Sequence, residues 1–155
     1  MISDTDAAWL AGFIDADGHI GIVRRTTRRG DRHYVYIRPV VQIGQGKRAV
    51  LDWISDLVGG DLNIHGQRNF YNLRFHAGTI RWLLPQLLPY LKVKKRQAEI
   101  VLEFTDLSRV SKNGRSLTPE ELARREGLRA ECSALNIKPA AAAKQVEATQ
   151  LKAVS

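Results

Sequence analysis

Residues 10–20 read LAGFIDADGHI, a stretch that fits two quite different structures. Its tail, DADGHI, has the form of part of a calcium loop. The whole has the form of a helix that ends on a carboxylate. The calcium reading fails on spacing. An EF-hand loop needs oxygen ligands at positions one, three, five and twelve, with Gly at six. Placing Gly18 at six puts Asp15 and Asp17 at three and five, but it puts Phe13 at one and the cation Arg24 at twelve. The helical reading has support at both ends. Ser3, Asp4 and Thr5 precede the apolar pattern and Gly18 follows it, which predicts a helix over about Asp6 to Asp17.

On such a helix Leu10, Phe13 and Ile14 point towards the core, while Gly12 and Ala16, four residues apart, share another face. Small residues let a second helix approach closely. The pattern occurs once in the chain, so the partner helix is expected from a second identical subunit in a two-fold dimer, with Ala11, Gly12 and Ala16 at the interface. Asp17 falls at the helix C-terminus, where the macrodipole is negative, and a divalent cation there would relieve the repulsion. Asp15, two positions away, faces elsewhere and is the weaker metal candidate. A buried helix with incidental small residues, closed by a turn-forming Asp–Gly pair, is the plainer alternative.

Working outward, residues 18–23 take on the short β-branched pattern of a strand, RRTTRRGDR (24–32) reads as a basic loop, and HYVYIRPVVQIGQ (33–45) alternates as a second strand. KRAVLDWISDLVGG (47–60) is helical up to its glycines, and DLNIHGQRNFYNLRF (61–75) reads as another hairpin turning near residues 65–69. TIRWLLPQLLPYL is helical with prolines that kink or segment it, and KKRQAEIVLEFTDL is another amphipathic helix. TPEELARREGLRAECSAL starts with Thr118 as cap, Pro119 at the first position and Glu120 and Glu121 in the first turn. The order αββαββα, with further C-terminal helices, predicts an α+β fold: one antiparallel sheet with helices on one face. A single domain over residues 1–135 is expected, with 136–155 as a tail poor in apolar anchors.

The composition points to a partner. Lys and Arg outnumber Asp and Glu by 24 to 16, a formal charge of +8, which suits a polyanion, most plausibly nucleic acid. A basic surface without a ligand is the alternative. Cys132 is the only cysteine, which excludes an intrachain disulfide and a cysteine-based zinc site. Nothing reads as a signal peptide or membrane span, so an intracellular protein, of cytoplasm or organelle, is expected.

LAGFIDADG resembles the LAGLIDADG motif that names a large group of homing endonucleases, differing from it at Phe13. The likeness extends through QIGQGKR and LKVKKRQAEIVL to about Leu107. It is to the single-motif, homodimeric members, in particular the group that contains the chloroplast intron endonuclease of green algae. The resemblance implies the homing-endonuclease fold, with a saddle-like sheet, and hydrolysis of a phosphodiester in each DNA strand. It implies that Asp17, helped by the backbone carbonyl of Ala16, binds catalytic Mg²⁺ or Mn²⁺ at the dimer interface. It assigns Gln45 to the neighbourhood of the attacking water and Lys94 to the scissile phosphate, with Arg48 as the related basic residue. His19 is left as a structural residue.

On the second strand Tyr34, Tyr36, Arg38 and Gln42 fall on one side, and Val35, Ile37, Val41 and Ile43 on the other. The polar side suits the major groove of double-stranded DNA, where Arg reads guanine and Gln reads adenine. Asn72 and Arg74 are the matching candidates on the second hairpin, and Arg25, Arg28, Arg29 and Arg32 crowd the first hairpin tip. Lys92, Lys95, Arg96, Lys112 and Arg115 are candidates for phosphate contacts. The leading expectation is a homodimeric, metal-dependent, site-specific endonuclease with a long, roughly two-fold symmetric target. A non-cleaving nucleic-acid binder of the same fold, an intron RNA maturase or a transcriptional regulator, is the alternative.

Overall fold

The computed structural model describes residues 1–65, 70–110 and 118–136, with the side chains of 29, 32–34, 63–65 and 108–110 excepted. The chain begins with α1 (Asp4–Asp17). Its cap is Ser3, whose hydroxyl accepts the Asp6 amide at 3.1 Å and donates to the Asp6 carboxylate at 2.6 Å, so the helix starts two residues earlier than the apolar pattern indicates. At its other end the Gly18 amide donates to the Ile14 carbonyl, and a Cβ on Gly18 would lie 2.8 Å from the Ile14 Cα. Only glycine lets the chain turn so tightly from helix into strand.

From that turn, β1 (Gly18–Arg29) pairs antiparallel with β2 (Arg32–Gln45), in register from Gly18↔Ile43 to Arg29↔Arg32. The expected basic loop over residues 24–32 is therefore mostly strand. Arg, Thr and Val tolerate an extended backbone, and a two-residue turn at Gly30 (φ 59°) and Asp31 suffices to reverse it. The chain continues through α2 (Arg48–Val58), β3 (Asp61–His65), β4 (Phe70–Arg74), α3 (Ala77–Leu87), α4 (Lys95–Val110) and α5 (Pro119–Leu135). The strands form one antiparallel sheet in the order β1-β2-β4-β3. This is the α+β arrangement that the sequence predicts.

Period-two alternation decides which face of the sheet is covered. Ile20, Val41, Ile43 and Leu73 lie at 0–1% exposure and meet Leu10 and Ile14 of α1, Leu51 and Ile54 of α2, and the buried rows of α3 and α4. The alternation fails towards the hairpin tip, where Ile37 is half-buried and Val35 is 47% exposed. Strands of 12 and 14 residues reach beyond the helices, so the core positions there have nothing to pack on.

α5 has the predicted start: Thr118 and Glu121 form a capping box, with Pro119 in the first turn. It buries Leu128 and Cys132 and ties the β1 edge, where the Asn136 side chain donates Nδ2 to the Ile20 carbonyl at 2.8 Å. Arg96–Glu131, Arg124–Glu103 and Arg24–Glu126 ion pairs lie along its exposed flank. Each stabilises little on its own, because water screens it. No helix among the described residues is long and apolar enough to cross a membrane. Lys112, Arg115, the second hairpin turn and the tail from residue 137 lie outside the described residues.

Candidate active site and nucleic-acid interface

Three elements converge on the C-terminal end of α1. Asp17 is exposed there, and the Gln45 side chain, from the last position of β2, donates Nε2 to Asp17 Oδ2 at 2.7 Å. Lys94 arrives from the turn before α4. Its ammonium donates to the carbonyl of Ile14 at 3.0 Å and to that of Asp15. α1 has no basic residue in its own last turn, so Lys94 supplies from a distant segment the cation that its negative end favours. The sequence-predicted Asp17, Gln45 and Lys94 are thus brought together.

Arg48 is not part of this group. It opens α2 and directs its Nε at both carboxylate oxygens of Asp52, 3.2 Å away. Asp15 has a different task from Asp17. Its carboxylate accepts the backbone amides of Lys92 at 2.6 Å, Val93 at 3.1 Å and Lys94 at 2.8 Å. Burial pushes its pKa up, but the three amides and the Lys94 charge outweigh burial and hold it below the usual carboxylate value. His19, half-buried at the start of β1, has its pKa lowered by burial and then by Lys94.

The donors around Asp17 fit a hard divalent cation. A carboxylate and the neighbouring Ala16 carbonyl are oxygen ligands on exposed residues at the negative end of a helix. No cluster of three or more His, Cys, Asp or Glu able to hold a metal exists among the described residues. One carboxylate suits Mg²⁺, which keeps several waters and shares its coordination with substrate phosphates.

The uncovered sheet face carries ordered polar rows. His19, Gln42, Arg74 and Asp61 stand side by side across the four strands. Arg74 Nη2 donates to Gln42 Oε1 at 3.3 Å, and His76 Nε2 lies 3.1 Å from Asp61 Oδ1. The neighbouring row includes Gly44 and Asn72. Asn72 Oδ1 and Arg74 Nε are buried without a hydrogen-bond partner. Phe70 lies over Gly44, where a Cβ would come within 2.6 Å of its ring, and is still 44% exposed.

On the long hairpin Arg25 stands opposite Tyr36 and Arg38 opposite Val23, with Arg25, Tyr36 and Arg38 exposed. Arg28 alternates with them and folds back on the turn, its Nε donating to the Gly30 carbonyl at 2.9 Å beside Asp31. Arg29 and Arg32 form the last backbone pair before the turn and Tyr34 pairs with Thr27, but their side chains lie outside the described set. Lys92 and Lys95 are exposed, while Arg96 is held by Glu131 and Glu99.

Along α1, Gly12 and Ala16 are exposed as expected, and a Cβ on Gly12 would meet nothing within 4 Å. Ala11 differs. It is fully buried in its own chain, because it follows Leu10 on the core side, and it offers no surface to a partner. Trp9 flanks the small-residue face, stacked on Phe13 (centroids 5.1 Å apart) and edge-on to Trp53 (5.0 Å), with both tryptophans 43% exposed.

Sequence reasoning missed Phe70, Asp61, Trp9 and Trp53. Phe70 could have been found, since it shares the strand parity of Asn72 and Arg74. Trp53 could not, because its meeting with Trp9 is tertiary.

A family model described as LAGLIDADG endonuclease matches residues 10–110, well over half of the chain. The chain belongs to the LAGLIDADG endonuclease family. Among solved structures it is similar to the homing endonuclease I-CvuI, a green-algal chloroplast enzyme, at 26% identity and a TM-score of 0.71 over 88% of this chain and 86% of that one. I-CvuI was crystallised with DNA in the presence of Mg, with the DNA not cleaved, and with its target in the presence of Ca. It is similar as well to the archaeal intron-encoded I-Vdi141I complexed with DNA, at 27% identity and a TM-score of 0.73 over 87% of this chain and 86% of that one. A likeness to I-SmaMI, at 18% identity and a TM-score of 0.67, covers 84% of this chain but 45% of that one and concerns the fold alone. No curated protein sequence matches.

Proposed function

We propose that the protein is a site-specific DNA endonuclease that acts as a homodimer, depends on Mg²⁺ or Mn²⁺, and cuts both strands of a long, roughly two-fold symmetric target. The observation that carries this reading is the meeting of Asp17, Gln45 and Lys94 at the end of a helix whose adjoining face is open and small-sided. The DNA complexes of I-CvuI and I-Vdi141I support it. A dimer formed along Gly12 and Ala16 brings two such helix ends together, one for each strand.

Asp17 and the Ala16 carbonyl would hold the metal, which supplies water of lowered pKa and offsets charge on the phosphate. Gln45, anchored to Asp17 through its Nε2, keeps Oε1 as an acceptor for water. Lys94 places a fixed positive charge where the phosphate would lie. Arg48 joins only by leaving Asp52. Arg25, Arg38, Tyr36, Gln42, Asn72 and Arg74 contact base edges or backbone, and Phe70 offers an apolar contact for a thymine methyl. Residues 1–135 form the one functional domain, and the protein works inside the cell.

A non-cleaving binder would use the same sheet but would have no need of the Asp17–Gln45–Lys94 cluster. Incubation with a randomised double-stranded DNA library and Mg²⁺ separates the two. Products sharing one near-palindromic site, absent without metal, support the nuclease; a site enriched by binding that stays uncut sinks it.

A further inference from the structure

We infer that Asp15 is the positioning residue for Lys94. Its carboxylate holds the backbone of residues 92–94 so that the ammonium is fixed at the end of α1. The inference deepens the proposed nuclease reading and rests on the role given there to Lys94.

The geometry is specific. Three consecutive amides, of Lys92, Val93 and Lys94, converge on the two oxygens of Asp15 across 77 to 79 residues of chain. Successive amides on one carboxylate form an anion nest, and bonds to an ionised acceptor are short and strong. With three backbone amides on those oxygens, Asp15 is engaged in holding the chain rather than turned to the reaction. Its effect passes instead to the next atoms along. Fixing the Lys94 backbone limits where a flexible four-carbon stem can place its charge. The ammonium then donates to the carbonyls of Ile14 and Asp15. An ammonium has three donors, so one proton remains for a phosphate oxygen. The two acids of the motif thus divide the work: Asp17 faces the reaction, and Asp15 sets the cation beside it. Lys92 and Val93 are exposed, so burial does not hold that part of the segment.

The test combines exchange with kinetics, using the full chain. Amide hydrogen exchange of the wild-type protein should show residues 92–94 protected despite their exposure, and Asp15→Asn should release them while Lys94→Met does not. Single-turnover cleavage by Asp15→Asn should fall about 10–100-fold, the usual effect of losing an orienting partner. On a Lys94→Met background the same substitution should slow cleavage no further. Equal slowing on both backgrounds would mean that Asp15 acts independently of Lys94. Unprotected amides in the wild type overturn the inference without touching the nuclease assignment, and they do so even if Asp15→Asn fails to fold. A wild-type protein that cuts no DNA removes the nuclease reading and the inference with it. Lys94→Met cutting at the wild-type rate removes the inference alone.

Discussion

Phe70 shows how one side chain can be given a base. It is apolar, exposed, pinned over a glycine and on the strand parity of Asn72 and Arg74. Scanning a target with uracil in place of thymine should reveal one position per half-site where the lost methyl weakens binding about fourfold, or ~0.8 kcal/mol. Phe70→Ala should abolish that difference, and a difference that survives the substitution would remove Phe70 from base reading. Cys132 gives a second prediction. Burial pushes its thiol pKa up to about 11, so the folded state favours the protonated form. Its stabilising contribution is complete below the unfolded value near 9.0 and is lost as pH rises through about 11. Cys132→Ala should therefore flatten the alkaline limb of a stability–pH curve; an unchanged limb would assign it to other groups. That Asp17, Gln45 and Lys94 meet at one helix end was legible in the sequence, because each sits in a short matching segment. The task of Asp15 was not, because its partners are 77 to 79 residues away.

Helix α1 makes opposing demands on Gly12. Within one chain a side chain there meets nothing within 4 Å, and glycine inside a helix costs about 1 kcal/mol relative to Ala. Gly12→Leu should therefore leave the isolated chain at least as stable, while it drives apart helices packed on that face. Sedimentation and thermal melting at low concentration should show a stable monomer that no longer cuts DNA; a dimer that tolerates leucine would place the interface elsewhere. The helix itself was readable from its cap signals and apolar spacing. The reach of β1 was not, because a run of arginines and threonines reads as loop until its partner strand is seen. Ala11 shows the limit of spacing arguments: one position along a helix turns a residue by about 100° and moves it from interface to core.

For the whole molecule, the formal charge of +8 and the arginines of the long hairpin predict affinity dominated by phosphate contacts. The logarithm of the binding constant should fall linearly with that of salt concentration, by about 0.9 for each phosphate neutralised. Arg38→Ala, if Arg38 reads a base, should relax specificity at one position without altering that slope. A shallower slope would make it a phosphate contact instead. The fold class was legible as a whole because αββαββα order and alternation leave few alternatives. The docking of α5 was not, since it rests on Cys132 and Asn136 meeting the β1 edge. Under the proposed function, Asp17 at the end of α1 is the carboxylate on which cutting of DNA depends. Single-turnover cleavage of the selected target by Asp17→Asn in Mg²⁺, beside binding of the same DNA in Ca²⁺, tests that dependence most directly. The expected rate is at least about 10³-fold below wild type, with affinity retained. Cleavage by Asp17→Asn at the wild-type rate would contradict it.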